Sequence, residues 1–158
     1  KILLILRDPR DVLVSHYYSV KYSHEISTTK IRNKRKKVKS QNIDEFVLDR
    51  IEEFSAIYNQ YKDNILNLRG VVFVRYEDMI SNPKNFITKL YNILDIDINN
   101  KDIDKIVKDR MIMPKEEQKY SHRRSGKSGQ YLDKLKPETV RIINSKFENI
   151  IDTFGFDK

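Results

Sequence analysis

The chain has 158 residues, 39% of them hydrophobic, which is about one globular domain or most of one. Its 31 Lys and Arg against 23 Asp and Glu leave a net charge of +8, a balance that favours a partner bearing phosphate, sulfate or another anion. The absence of cysteine excludes a disulfide framework and a thiolate metal site. No apolar run approaches the roughly 18 residues of a membrane span, and the first residues lack the order of a secretory signal peptide, so any targeting segment of the parent protein is expected outside this chain; localisation is left open, with the cytoplasm favoured.

The chain opens on "KILLIL", an unbroken apolar run of the kind found in a strand buried on both faces of a parallel sheet. Ile2 to Leu6 should therefore seek a neighbouring strand on each side, and an edge left unpaired would be exposed or covered by another copy. In "RDPRD", Asp8 can cap a helix, Pro9 suits its first position and Asp11 lies favourably at the positive end of its dipole. The helix continues through Val12, Leu13, His16 and Tyr17. Residues 26–42, containing "STTKIRNKRKKVKSQN", are polar and heavily basic with no apolar period and are expected to form a solvated loop. From Ile43 to Leu68 apolar residues recur at intervals of three and four, which predicts a long amphipathic helix ending near Arg69-Gly70.

A second short strand is predicted at Val71 to Val74, ending at Tyr76. Asn82-Pro83 starts another helix, and Ile98 to Val107 suggest a further one. Residues 111–136 are mostly polar and contain "RRSGKSGQY", whereas Pro137 opens a last helix bearing Val140, Ile143, Phe147, Ile150 and Ile151. The order strand, helices, strand, helices gives an α/β fold with at least two parallel strands. Helical crossovers then put Arg7 and Tyr76 at the same sheet edge, where open α/β folds bind ligands.

Arg7 leaves the end of a strand beside a helix N-terminus, where backbone N–H groups and the helix dipole favour an anion. Its guanidinium can grip a phosphate in bidentate fashion, with the Ser15 hydroxyl two turns along as a further donor. A plain surface ion pair of Arg7 with Asp8 is equally consistent with this segment alone, and Arg10 can pair with Asp11 or another carboxylate. In "RRSGKSGQY", glycines let the backbone approach an anion, with Arg123, Arg124 and Lys127 supplying charge and Ser125 and Ser128 hydroxyls. Its context is wrong for a nucleoside-triphosphate P-loop. Tyr76 can support a purine ring or simply pack. Glu77 and Asp78 beside it, taken as strand neighbours, point to opposite sides and form no paired acid/base site.

Together, "RDPRDVLVSHYY", "VFVRYEDMISNPKNFITKLYNIL" and "RRSGKSGQY" occur in the order and approximate spacing of the sulfotransferase domain, which this chain resembles over nearly its whole length. The resemblance implies a three-layer fold of a parallel sheet with flanking helices, like that of P-loop NTPases, with residues 1–158 forming the C-terminal portion of a single domain. It implies transfer of a sulfuryl group from 3′-phosphoadenosine 5′-phosphosulfate to a hydroxyl or amine acceptor, without a metal. By the same resemblance Arg7 and Ser15 hold the nucleotide 3′-phosphate and Tyr76 lies against the adenine. Arg124, Ser125 and Gly126 belong to the loop that closes over that phosphate.

The chain departs from the family pattern at several points. Arg124-Ser125-Gly126 stands where Arg-Lys-Gly is common, leaving Arg123 or Lys127 to replace the missing cation. Gly129-Gln130-Tyr131 replaces Gly-Asp-Trp, the Thr-Ser-Phe stretch has no counterpart around "KDRMIMP", and Thr139-Val140 are out of register with the short dimer motif, which leaves oligomeric state open. The family's 5′-phosphosulfate loop and catalytic histidine, expected upstream of Lys1, have no match here. His16, His24 and His122 do not occupy the position of that base, and His16 is expected to be packed or half-exposed. The chain alone is therefore expected to bind donor without turnover. A second reading is a non-catalytic nucleotide- or polyanion-binding module, motivated by Lys30 to Lys39. That cluster lacks the interleaved aromatics of a nucleic-acid surface, so a nucleic-acid partner is not expected.

Overall fold

The computed structural model describes residues 1–23, 29–110, 117 and 126–157. Strand β1 (Ile2–Leu6) leads into helix α1 (Pro9–Tyr18) and a π-helical turn at Ser19–Ser23; α2 (Thr29–Ser40) and α3 (Ile43–Asn64) follow, then β2 (Val71–Arg75). After β2 come α4 (Tyr76–Ser81), α5 (Pro83–Ile93), α6 (Asn100–Arg110), α7 (Gln130–Lys134) and α8 (Pro137–Phe154). The two strands pair in parallel, from Ile2 opposite Val71 to Leu6 opposite Arg75.

Three layers result, because the pleat sends alternate residues to opposite faces. Leu4 and Leu6 join Val71 and Phe73 in a core with Leu13 and Val14 of α1, Val47, Ile51 and Phe54 of α3, and Ile143, Phe147, Ile150 and Ile151 of α8. On the other face Val74 packs with Phe86, Ile87 and Ile103 of α5 and α6. The expectation that β1 is buried on both faces is corrected here: Leu3 and Ile5 are 36% and 41% exposed. The α5–α6 layer covers β2 and leaves β1 open, and among the described residues no strand pairs with the free edge of β1.

The predicted helix starts have local causes, whereas the expected end of the long helix near Arg69-Gly70 is corrected: α3 stops at Asn64. Asn42 and Glu45 exchange side-chain-to-backbone hydrogen bonds of 3.0 and 2.9 Å, a reciprocal cap that starts α3 at Ile43. Asn82 caps α5 ahead of Pro83, and α8 opens at Pro137 and is ended after Phe154 by Gly155, in the left-handed region at φ 66°. The loop expected at 26–42 is corrected over Thr29–Ser40, which is helical. Lys and Arg are good helix formers, no Gly or Pro interrupts them, and one apolar anchor, Val38, is buried against Tyr17, Val20 and Phe46.

Candidate functional site

Arg7 leaves β1 where β2 hands over to α4, and segments far apart in the chain meet around its side chain. Nη2 of Arg7 donates to the Lys127 carbonyl at 2.7 Å and lies 3.4 Å from Asp11 Oδ2. The guanidinium sits 4.9 Å from the centroid of the Tyr76 ring, a cation–π contact. The Tyr58 hydroxyl donates to the Arg7 backbone carbonyl. Arg7 Nε is buried and has no hydrogen-bond partner among the described residues.

Asp11 joins the first segment to the last. Its fully buried carboxylate accepts the Gly129 N–H at 2.8 Å and the Tyr131 N–H at 3.1 Å, which seats the end of the glycine-containing loop on α1. Burial pushes its carboxyl above the usual range, against the opposing pull of Arg7 and the two N–H groups. Ser15 lies one turn further along α1, on the same face as Asp11, and is half-buried. Tyr76, half-buried as the first residue of α4, has its hydroxyl pushed up by burial.

Two expectations about this edge are corrected. The α1 N-terminus does not offer a set of free donors: Pro9 has no N–H, and the Arg10 N–H is taken by Asp8 Oδ1 at 2.9 Å. The plain Arg7–Asp8 pair is likewise replaced, since Asp8 holds Arg10. That guanidinium is 1% exposed, bonded through Nε and Nη2 to both Asp8 oxygens, to Asn144 at 2.9 Å and to the Asp157 carbonyl, with the Tyr131 ring 4.3 Å away.

The expectation that Glu77 and Asp78 are strand neighbours is corrected: they lie in the first turn of α4, and each has its own partner. Glu77 Oε1 accepts the Asp8 N–H at 3.0 Å, and burial pushes its carboxyl up; Asp78 is held by Arg75 at 2.8 and 3.0 Å. A polar cleft of about 320 Å³ beside them is lined by Asp8, Glu77, Asp78, Ser128 and Gly129, among others. An apolar cleft of about 450 Å³, lined by Leu3, Val72, Val74, Phe86, Leu90 and Ile93, among others, faces the α5 layer instead.

Of the remaining predicted residues, Gly126 is described, with φ 62°, a left-handed backbone that suits glycine. Arg123, Arg124 and Ser125 lie outside the described residues, as do His24 and His122. His16 is packed as expected, its ring 5.5 Å from that of Phe46 and 5.4 Å from that of Phe54. Sequence reasoning did not find Asp11, Glu77 or Tyr58 as site-building groups, because their partners lie between 51 and 120 residues away. Among the described residues, no cluster of His, Asp or Glu suited to a metal ion occurs, and no helix is long and apolar enough to cross a membrane.

The family model described as the sulfotransferase domain matches residues 1–155. The mouse sulfotransferase SULT7A1, solved complexed with PAP, superposes with a TM-score of 0.66 at 16% sequence identity, a likeness of fold. The alignment covers 96% of this chain and 58% of that neighbour, so this chain spans under two thirds of its length. None of the curated proteins compared matches the chain.

Proposed function

The chain belongs to the sulfotransferase domain family, and from that premise we propose that the protein it represents transfers a sulfuryl group from 3′-phosphoadenosine 5′-phosphosulfate to an acceptor hydroxyl or amine. This chain contributes the grip on the 3′-phosphate and adenine. The observation that carries the reading is the convergence on Arg7 of Asp11 from α1, Tyr76 from the start of α4 and Lys127 from the glycine-containing loop.

The residues present fit such a ligand. The buried Arg7 Nε, which has no partner among the described residues, is a donor that an anionic oxygen satisfies, and with Nη2 it forms the fork that matches a phosphate. Ser15 supplies a hydroxyl from the adjoining face of α1, and the Tyr76 ring offers an aromatic surface beside the cation. Arg124, Ser125 and Gly126 belong, in this reading, to the loop over the phosphate, with Arg123 or Lys127 supplying the cation absent at Ser125.

In the reaction the acceptor oxygen or nitrogen forms a bond to sulfur as the bond from sulfur to the donor phosphate breaks, releasing adenosine 3′,5′-bisphosphate. Positive groups that hold the nucleotide fix the donor for in-line attack and favour the charge on the departing phosphate. No residue of this chain is assigned the base that takes the acceptor proton, so the chain alone binds nucleotide without turnover. Isothermal titration with adenosine 3′,5′-bisphosphate tests the site. Binding by wild type that Arg7→Ala abolishes is the expected result; no heat from wild type, or equal heat from the variant, removes the assignment.

A further inference from the structure

Helix α2 carries Lys30, Arg32, Lys34, Arg35, Lys36, Lys37 and Lys39 and no carboxylate. Its fixed side runs through Val38, buried against α1 and α3, and Arg35, whose Nε donates to the Val20 carbonyl at 3.1 Å. Lys37 is occupied by Asp49 at 3.2 Å. Arg32, Lys36 and Lys39 are exposed and recur at i, i+4 and i+7, so they share one stripe of the helix. Among the described residues no carboxylate forms an ion pair with any of the three.

Like charges one turn apart destabilise a helix, so Arg32, Lys36 and Lys39 oppose the structure they stand on until an anion neutralises them. We propose that this stripe of α2 is a docking surface for an acidic polypeptide segment, which it holds close to the Arg7 site. Charge complementarity favours that partner, because the helix bears cations and no carboxylate. Along the helix axis the three cations rise by about 6 and 4.5 Å, and an extended peptide repeats side chains on one side every ~6.6 Å, a misfit that flexible Lys stems absorb. The exposed residues of the helix include no aromatic on which a nucleic-acid base could stack. α2 packs against the C-terminal end of α1, and α1 is about 15 Å long with Arg7 at its other end. A segment on the stripe therefore lies within a few residues' reach of the donor site. Acidic protein as the acceptor class rests on the sulfotransferase reading above, whereas the docking itself does not.

The test titrates the 158-residue chain with a fluorescent twelve-residue polyglutamate, comparing wild type with R32Q/K36Q/K39Q and the charge-preserving R32K/K36R/K39R. Wild type should bind, with affinity falling as salt rises; the Gln variant should bind about tenfold more weakly, and the charge-preserving variant like wild type. No binding by wild type, salt-independent binding or equal binding by the Gln variant overturns the proposal. Tighter binding of a sulfated glycan or a single-stranded oligonucleotide than of polyglutamate overturns the polypeptide assignment. Adenosine 3′,5′-bisphosphate should bind all three proteins alike. Failure there with polyglutamate binding intact counts against the nucleotide site alone, and equal circular dichroism spectra exclude misfolding of the variants as the cause of lost binding.

Discussion

Asp11 is the strongest test of how the site is held together, because its carboxylate is fully buried yet serves two backbone N–H groups and a guanidinium. Asp11→Ala leaves the Gly129 and Tyr131 N–H groups without acceptors, at about 1–3 kcal/mol each. Against this, the substitution relieves the burial of a charge, the effect that raises the carboxyl pKa. The net loss should be about 2–3 kcal/mol, or about 5–10 °C in Tm for a chain of this length. Asp11→Asn keeps one carbonyl oxygen and no charge, so its loss should be about 1 kcal/mol. The pH dependence carries a sign. A carboxyl raised in the folded state contributes stability that is full below its unfolded value, about 3.9, and is lost as pH rises through the folded value. The stability of wild type relative to Asp11→Asn should therefore decline with rising pH over that window. Thermal unfolding followed by circular dichroism, with hydrogen exchange at the Gly129 and Tyr131 amides, measures all of this. Unchanged Tm and unchanged amide protection in Asp11→Ala would refute the seating of the loop on α1. A wild-type advantage that grows with pH would show that Arg7, not burial, governs the carboxylate.

Arg10→Ala should cost about 3–5 kcal/mol, read as a lower urea midpoint, because it strands the buried Asp8 carboxylate without its cation. Tyr76→Phe should bind adenosine 3′,5′-bisphosphate within about twofold of wild type. Tyr76→Ala should bind about five- to a hundredfold more weakly in isothermal titration, since stacking of a base on an aromatic ring contributes about 1–3 kcal/mol. Equal affinity in the Ala variant would separate Tyr76 from the base.

Local signals made most of the fold legible. Apolar period for α3, Asn82-Pro83 for α5 and Pro137 for α8 marked where these helices start, because those devices act within a few residues. α2 was not legible from apolar period, since among its described side chains the buried anchor is Val38, and the Arg35 bond to the Val20 carbonyl and the Lys37–Asp49 pair join it to segments that the apolar pattern does not reveal. The burial of β1 was misjudged for a different reason. An apolar run states what a strand tolerates on each face, whereas the uncovered Leu3 and Ile5 depend on where α5 and α6 come to rest.

At the site, the cations were legible and the carboxylates were not. Arg7 stood out because a strand end beside a helix start is a known place for an anion. Asp11 read as an ordinary first-turn acid, and Glu77 as half of an acid pair without chemistry. Both act on backbone N–H groups brought in from other segments, Gly129 and Tyr131 for Asp11 and Asp8 for Glu77. This division follows from the geometry of the edge. A bare row of cations at the end of a two-stranded sheet would repel itself and leave the glycine-containing loop unanchored. Buried carboxylates fix the backbone around Arg7 and leave its Nε without an acceptor among the described residues. In the proposed reading an incoming phosphate has to displace only the Lys127 carbonyl from Nη2, a neutral acceptor, while Asp11 keeps the loop in place. Anion affinity at this edge therefore depends on Asp11 staying with the Gly129 and Tyr131 N–H groups rather than closing fully on Arg7, and the 3.4 Å separation of Asp11 from Nη2 against 2.8 and 3.1 Å to those N–H groups has that order.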